Sequence, residues 1–243
     1  VATLVAIPVV NTLLNQAPGL IEGTTPATLA GPTPGPSVTA LAPRSPSAVS
    51  NLVAVGDGPT DIAIDWVWDR AYVANSGDGT VSVLDTTTNL VTASIEVGGR
   101  PVAVAVESPA RRAYVADAAS GTVVILNTES DTVAGTITVG REPMGLAVDE
   151  AAGRLYVANA GEDTVSVIDT DSGAVVTSVA VGRRPVALAL DAAQGIVLVA
   201  TAEDDRATQL DTASHEVLPV PTGDRSSDVA IERFAEPDAN AVT

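Results

Sequence analysis

GLAVDEAAGRLYVANAGEDTVSVIDTDSGAVVTSVAV, residues 145–181, is the stretch that decides the fold. It holds four short β-rich runs, GLAVD (145–149), RLYVAN (154–159), TVSVID (164–169) and VVTSVAV (175–181), each followed by turn chemistry. Helical periodicity is absent, and the density of Val disfavours a helical pair. Asp169 precedes Thr-Asp-Ser-Gly, where its carboxylate can accept from backbone N–H groups two residues on. Gly77, Gly79 and Gly161 are expected to supply the positive φ that tight hairpins need.

Working outward, the same unit recurs every 42 residues. Tyr72, Tyr114 and Tyr156 keep that step, with Leu198 in the next place. So do Gly56, Gly98, Gly140 and Gly182, then Pro59, Pro101, Pro143 and Pro185, and also Asp85, Asn127, Asp169 and Asp211. A repeat of this length means propeller blades or a helical solenoid, and the strand pattern chooses the first. Four antiparallel strands make a small twisted sheet that cannot hide both faces alone, and stacking such sheets about an axis buries them. Ala63, Ala105, Ala147, Ala189 and Ala230 suit the crowded innermost strands. The expectation is an all-β propeller of four-stranded antiparallel blades, about four full blades plus a partial one, as an incomplete or small ring. NLVAVG (51–56) is expected as an outer strand and DVAIER (228–233) as an inner strand of a fifth blade. An open arc leaves a Val-rich edge that invites self-association. The last copy decays: Leu198, Thr201 and Glu203 replace Tyr, Asn and Gly, and one residue is missing before Gly223.

Around the repeats (51–233) the chain changes character. Residues 1–22 open with the apolar VATLVAIPVVNTLL, which fits the tail of an export signal as well as a short segment packed on the main domain. It is too short to span a bilayer comfortably. Residues 23–50 are rich in Pro, Thr, Ser, Ala and Gly, a linker composition, and 234–243 form a tail. The layout points to an extracytoplasmic protein, secreted, periplasmic or on the cell surface.

The 243 residues carry a net charge of −18, and every one of the 12 bases is Arg. So acidic a surface repels phosphate backbones and anionic lipid, which excludes nucleic acid as the expected partner. The count of zero cysteines removes disulfides and thiolate chemistry. His215 is the only histidine, so a Ser-His-Asp triad or multi-histidine metal site lacks parts. No cofactor motif is present.

Two candidate sites follow. Inter-blade loops carry Arg100, Arg141, Arg183, Arg184 and Arg225, on the same face as the loops between second and third strands. They can receive a carboxylate or phosphate, or they are turn residues pairing with Asp57, Glu142 and other loop acids. The outer loops of that face hold Asp78, Glu162, Asp163 and Glu203-Asp204-Asp205, whose spacing does not fit a calcium loop. Trp66 and Trp68, in the first inner hairpin, could anchor a protein partner; the blander expectation is that they cover the end of the array, against residues 1–20. The repeated tyrosines read as core, with hydroxyls partnered at the rim.

The stretches AYVANSGDGTVSVLDTTTNLVTASIEVGGRPVAVAV (71–106) and LYVANAGEDTVSVIDTDSGAVVTSVAVGRRPVALAL (155–190) resemble the YVTN β-propeller repeat family. Residues 72–75 and 156–159 read Tyr-Val-Ala-Asn, and 114–117 read Tyr-Val-Ala-Asp. The resemblance implies a secreted or surface-layer-type propeller, usually seven-bladed, that acts in binding or scaffolding. It also implies relatives among lactonase-like propellers, so a hydrolytic enzyme using loop Arg and carboxylates is the alternative to a non-catalytic binding protein.

Overall fold

The computed structural model describes residues 52–204 and 206–221. Four sheets of four antiparallel strands follow one another, each in simple meander order. The first blade is β1 (Pro59–Asp65), β2 (Arg70–Asn75), β3 (Thr80–Asp85) and β4 (Leu90–Glu96). The second is β5 (Pro101–Glu107), β6 (Arg112–Asp117), β7 (Thr122–Asn127) and β8 (Thr132–Thr138). The third is β9 (Pro143–Asp149), β10 (Arg154–Asn159), β11 (Thr164–Asp169) and β12 (Val175–Ala180). The fourth is β13 (Pro185–Asp191), β14 (Ile196–Thr201), β15 (Arg206–Asp211) and β16 (Val217–Pro221). Among the described residues this is the expected all-β propeller architecture, with the four full blades of the expected array.

First strands of successive blades lie against one another, β1 on β5, β5 on β9 and β9 on β13, which makes them the inner strands. Each begins with the periodic proline, a position where the missing N–H costs no ladder bond. Small residues there serve a close approach: a Cβ on Gly145 of β9 would sit 3.0 Å from the Val186 carbonyl and 3.1 Å from the Ala187 Cα.

Blades join through apolar faces. Tyr72, Ala74, Val81 and Val83 of the first meet Ala113, Val115, Val124 and Leu126 of the second. Tyr114, Val123 and Ile137 meet Leu155, Val157 and Ile168. Tyr156, Val165 and Val167 meet Val197, Val199 and Leu210. Both faces of the middle strands are covered, so β6 and β10 are buried almost throughout, whereas β4 and β8 are mostly exposed, with Ile95 and Ile137 their buried residues. Each fully buried Val or Leu contributes about 1.5–3 kcal/mol, and these faces are where the array gains its stability.

Two expectations are corrected. Residues 52–56 form no strand; instead Val53 and Val55 pack beside Ile62 and Ile64 on the outward face of the first blade, over Ala71, Val73 and Leu84. With no third strand beside it among the described residues, the segment covers apolar surface rather than entering a ladder. Gly79 does have positive φ (70°), but Gly77 and Gly161 do not. Those two are glycines because a loop crosses them: a Cβ on Gly161 would lie 3.0 Å from Arg141 Cβ, and one on Gly77 would lie 2.8 Å from Asp57 Oδ2. The residue noted as missing from the last copy is indeed absent, and its counterpart in the other blades is a β-bulge. In β4, β8 and β12 the register slips by one, leaving Thr92, Ala134 and Val176 as extra residues, while β15–β16 pairs without interruption.

The fifth-blade strand at 228–233, Ala230, and the segments 1–22, 23–50 and 234–243 lie outside the described residues. Among the described residues no helix is long and apolar enough to cross a membrane.

Candidate functional site

Each inter-blade loop is clasped by the loop between second and third strands of the blade it leads into. Ser76 N donates to Gly58 O at 2.8 Å and Gly77 N to Asp57 O at 2.9 Å. The pattern recurs with Ala118 N on Arg100 O (3.0 Å), Ala160 N on Glu142 O (2.9 Å), Gly161 N on Arg141 O (3.0 Å) and Ala202 N on Arg184 O (2.9 Å). These bonds put both loop types on one face, as the strand directions require.

The periodic glycine and the Asn that ends the second strand shape this clasp. A Cβ on Gly140 would lie 2.6 Å from Asn159 Cγ. Asn159 in turn accepts from Gly140 N at 3.2 Å and donates to Thr164 Oγ1 and Ser166 Oγ. In the second blade Asp117 stands in that place and accepts from Arg100 N (2.7 Å), Ala119 N (3.0 Å) and the Ser120 hydroxyl (2.6 Å). Burial pushes the Asp117 carboxyl up, but the Arg100 N–H and these other donors outweigh it, so its pKa is lowered.

The arginines divide into two kinds. Arg141 reaches Glu162 Oε1 from Nε at 3.4 Å and donates from Nη2 to Gly161 O at 2.8 Å. Arg183 pairs with Asp204 at 2.9 Å and donates from Nη2 to Glu203 O at 2.6 Å. Arg100 and Arg184 instead use their backbone N–H, on Asp117 and, at 2.9 Å, on Asp163 Oδ1. Their guanidinium groups make no ion pair among the described residues. Arg225 lies outside the described residues.

Asp78, Asp117, Glu162, Asp163 and Asp204 accept from backbone N–H groups, hydroxyls or arginines. Asp78 accepts from Asp57 N (2.8 Å) and the Thr80 hydroxyl (2.7 Å), and these donors hold its carboxyl below the usual range. Among the described residues no group of three His, Cys, Asp or Glu side chains converges as a metal-ligand set.

On the opposite face, Trp66 is 70% exposed and Trp68 45% exposed; residues 1–20, expected to pack against them, lie outside the described residues. Trp68 stacks under the Arg111 guanidinium of the next blade, 3.3 Å from the ring centroid. His215 has φ 60° in the turn position that Asn89, Asp131 and Gly173 hold with positive φ in the other blades. It is a turn residue.

Two periodic series escaped the sequence reading, though the 42-residue step contains them. Asp65, Glu107, Asp149 and Asp191 end the inner strands and are all buried. Arg70, Arg112 and Arg154 begin the second strands. Arg70 donates to Thr128 O and Asp131 of the following blade, and Arg112 donates to Thr170 O. The tyrosine expectation holds only once: Tyr114 donates to Glu107 at 2.6 Å, whereas the Tyr72 and Tyr156 hydroxyls are buried without a hydrogen-bond partner.

No protein-family model and no curated protein matches the sequence. Among solved structures, a chain of Kuenenia stuttgartiensis hydrazine synthase is similar with a TM-score of 0.63 at 22% identity. The similarity covers 72% of this chain and 52% of that one, so the chain spans about half the length of this neighbour. At that identity the likeness carries the fold alone.

Proposed function

We propose that the chain is a YVTN-type propeller that works outside the cytoplasm as a non-catalytic binding or scaffolding protein, and that its loop face receives a small anionic ligand or an acidic group of a protein partner. One observation carries the reading. The carboxylates of Asp78, Asp117, Glu162, Asp163 and Asp204 cap backbone N–H groups or pair with arginines, while the guanidiniums of Arg100 and Arg184 have no ion pair among the described residues. Carboxyls held below their ordinary pKa, like Asp78 and Asp117, are poor proton donors and weak bases near neutral pH. A guanidinium on a fixed loop suits bidentate capture of a carboxylate or phosphate.

Titration calorimetry with inorganic phosphate and with citrate tests this. Wild type is expected to bind at least one of them, and Arg100→Ser with Arg184→Ser to lose that binding while melting normally. Equal heats from both proteins contradict the reading. Lactone hydrolysis above the buffer rate, abolished by chelator, supports the hydrolytic alternative instead.

A further inference from the structure

The first and second inter-blade interfaces are built from equivalent residues 42 apart: Asp65 and Glu107, Arg70 and Arg112, Tyr72 and Tyr114, Thr128 and Thr170. At the second interface the polar atoms satisfy one another. Glu107, 5% exposed, accepts from the Tyr114 hydroxyl at 2.6 Å and from Thr170 Oγ1 at 3.1 Å. At the first interface the acid is one methylene shorter. Asp65, 0% exposed, uses Oδ1 for Val67 N, Trp68 N and the Ser108 hydroxyl. Its Oδ2, the Tyr72 hydroxyl and Thr128 Oγ1 are buried and have no hydrogen-bond partner.

These three atoms belong to one place. Asp65 pairs with Arg70 across the strands and Ala63 with Tyr72, so the Asp65 and Tyr72 side chains leave the sheet on the same face. That face meets the second blade, where the Thr128 hydroxyl lies beside the Tyr72 phenol. Buried polar groups in native proteins almost always find a partner, in protein or in ordered water.

We propose that the first inter-blade interface binds a single internal water molecule held by Asp65 Oδ2, the Tyr72 hydroxyl and Thr128 Oγ1, and that the longer Glu107 carboxylate takes that water's place at the second interface. Water donates to the carboxylate oxygen and bridges the two hydroxyls, giving it the two to four polar partners that a buried water needs. A cation is a poorer occupant, because the Arg70 guanidinium, held by Thr128 O and Asp131, already brings a positive charge beside the Tyr72 hydroxyl. An anion would face the Asp65 carboxylate.

Oxygen-17 magnetic relaxation dispersion, which counts long-lived internal waters, tests the proposal on the full chain. Asp65→Glu is expected to lose one such water relative to wild type, with the melting temperature kept or raised. An unchanged count overturns the proposal. If Asp65→Glu does not fold, Thr128→Val decides on the same count: one water fewer supports the site, and no change overturns it.

Discussion

Arg70 Nη1 donates to the Thr128 carbonyl at 2.9 Å, fastening the second strand of one blade to the outer hairpin of the next. The two residues are 58 apart, and Arg112 with Thr170 repeats the relationship at the same separation. Arg154 departs from it: its Nη1 turns back to Gly153 O at 2.9 Å and Asp169 at 2.6 Å within its own blade. The fourth blade has Ile196 in this place. The arginine staple therefore ties the first two interfaces, while at the third the Thr208 hydroxyl of the fourth blade donates to Val181 O.

Arg70→Ala is expected to cost about 1 kcal/mol, a partly exposed charged hydrogen bond discounted for solvent. Arg154→Ala removes only contacts within one blade and is expected to cost less. Thermal melts of the two variants check the order, and the reverse order contradicts the staple.

Tyr114→Phe leaves the buried Glu107 carboxylate without its 2.6 Å donor and is expected to cost about 1–3 kcal/mol. Tyr156→Phe removes a hydroxyl with no hydrogen-bond partner and is expected to be close to neutral. Urea midpoints for the pair supply the measurement. Equal losses contradict the difference between the two interfaces.

Much of the fold is legible in the amino-acid sequence alone. The 42-residue step sets the blades, and RLYVAN, TVSVID and their equivalents fall on strands β10 and β11 residue for residue. The loop face is legible too, because alternating strand directions put both loop types at one end. What escapes the sequence depends on contacts across blades. That Arg70 reaches Thr128 follows from which face of β2 looks at the next sheet, and a repeat period carries no such direction. Gly161 signals a turn in sequence, but it is a glycine because the Arg141 backbone and Cβ cross it.

Glycine substitutions separate these causes. Gly135 in β8 has open space where a Cβ would stand and no positive φ, so Gly135→Ala is expected to stabilise by about 0.4–1 kcal/mol. Gly161→Ala drives a methyl to within 3.0 Å of Arg141 Cβ and 3.1 Å of its carbonyl, and is expected to destabilise. Melting temperatures moving in the same direction contradict this assignment.

Acid should loosen the array through its outer turns. The Thr87 hydroxyl, with the Thr88 and Thr87 N–H groups, holds Asp85 down to about 2 from an ordinary 3.8. A depressed folded pKa means the unfolded chain binds the proton first, so this stabilisation is complete above 3.8 and is lost as pH falls toward 2. Asp169 and Asp211, capped by Ser172 and Ser214, act in the same sense. Asp85→Asn keeps the turn, as Asn127 does in the second blade. Its melting temperature should fall less steeply than wild type between about pH 4 and pH 2. Parallel curves contradict the linkage.

The central claim is that successive repeats stack face to face, and proton–proton Overhauser contacts test it most directly, with only three tyrosines to assign. Contacts are expected from the Tyr72 ring to the methyls of Val115 and Leu126, from Tyr114 to those of Leu155 and Val157, and from Tyr156 to those of Val197 and Val199. Tyrosine rings that contact only methyls of their own repeat contradict the stacking.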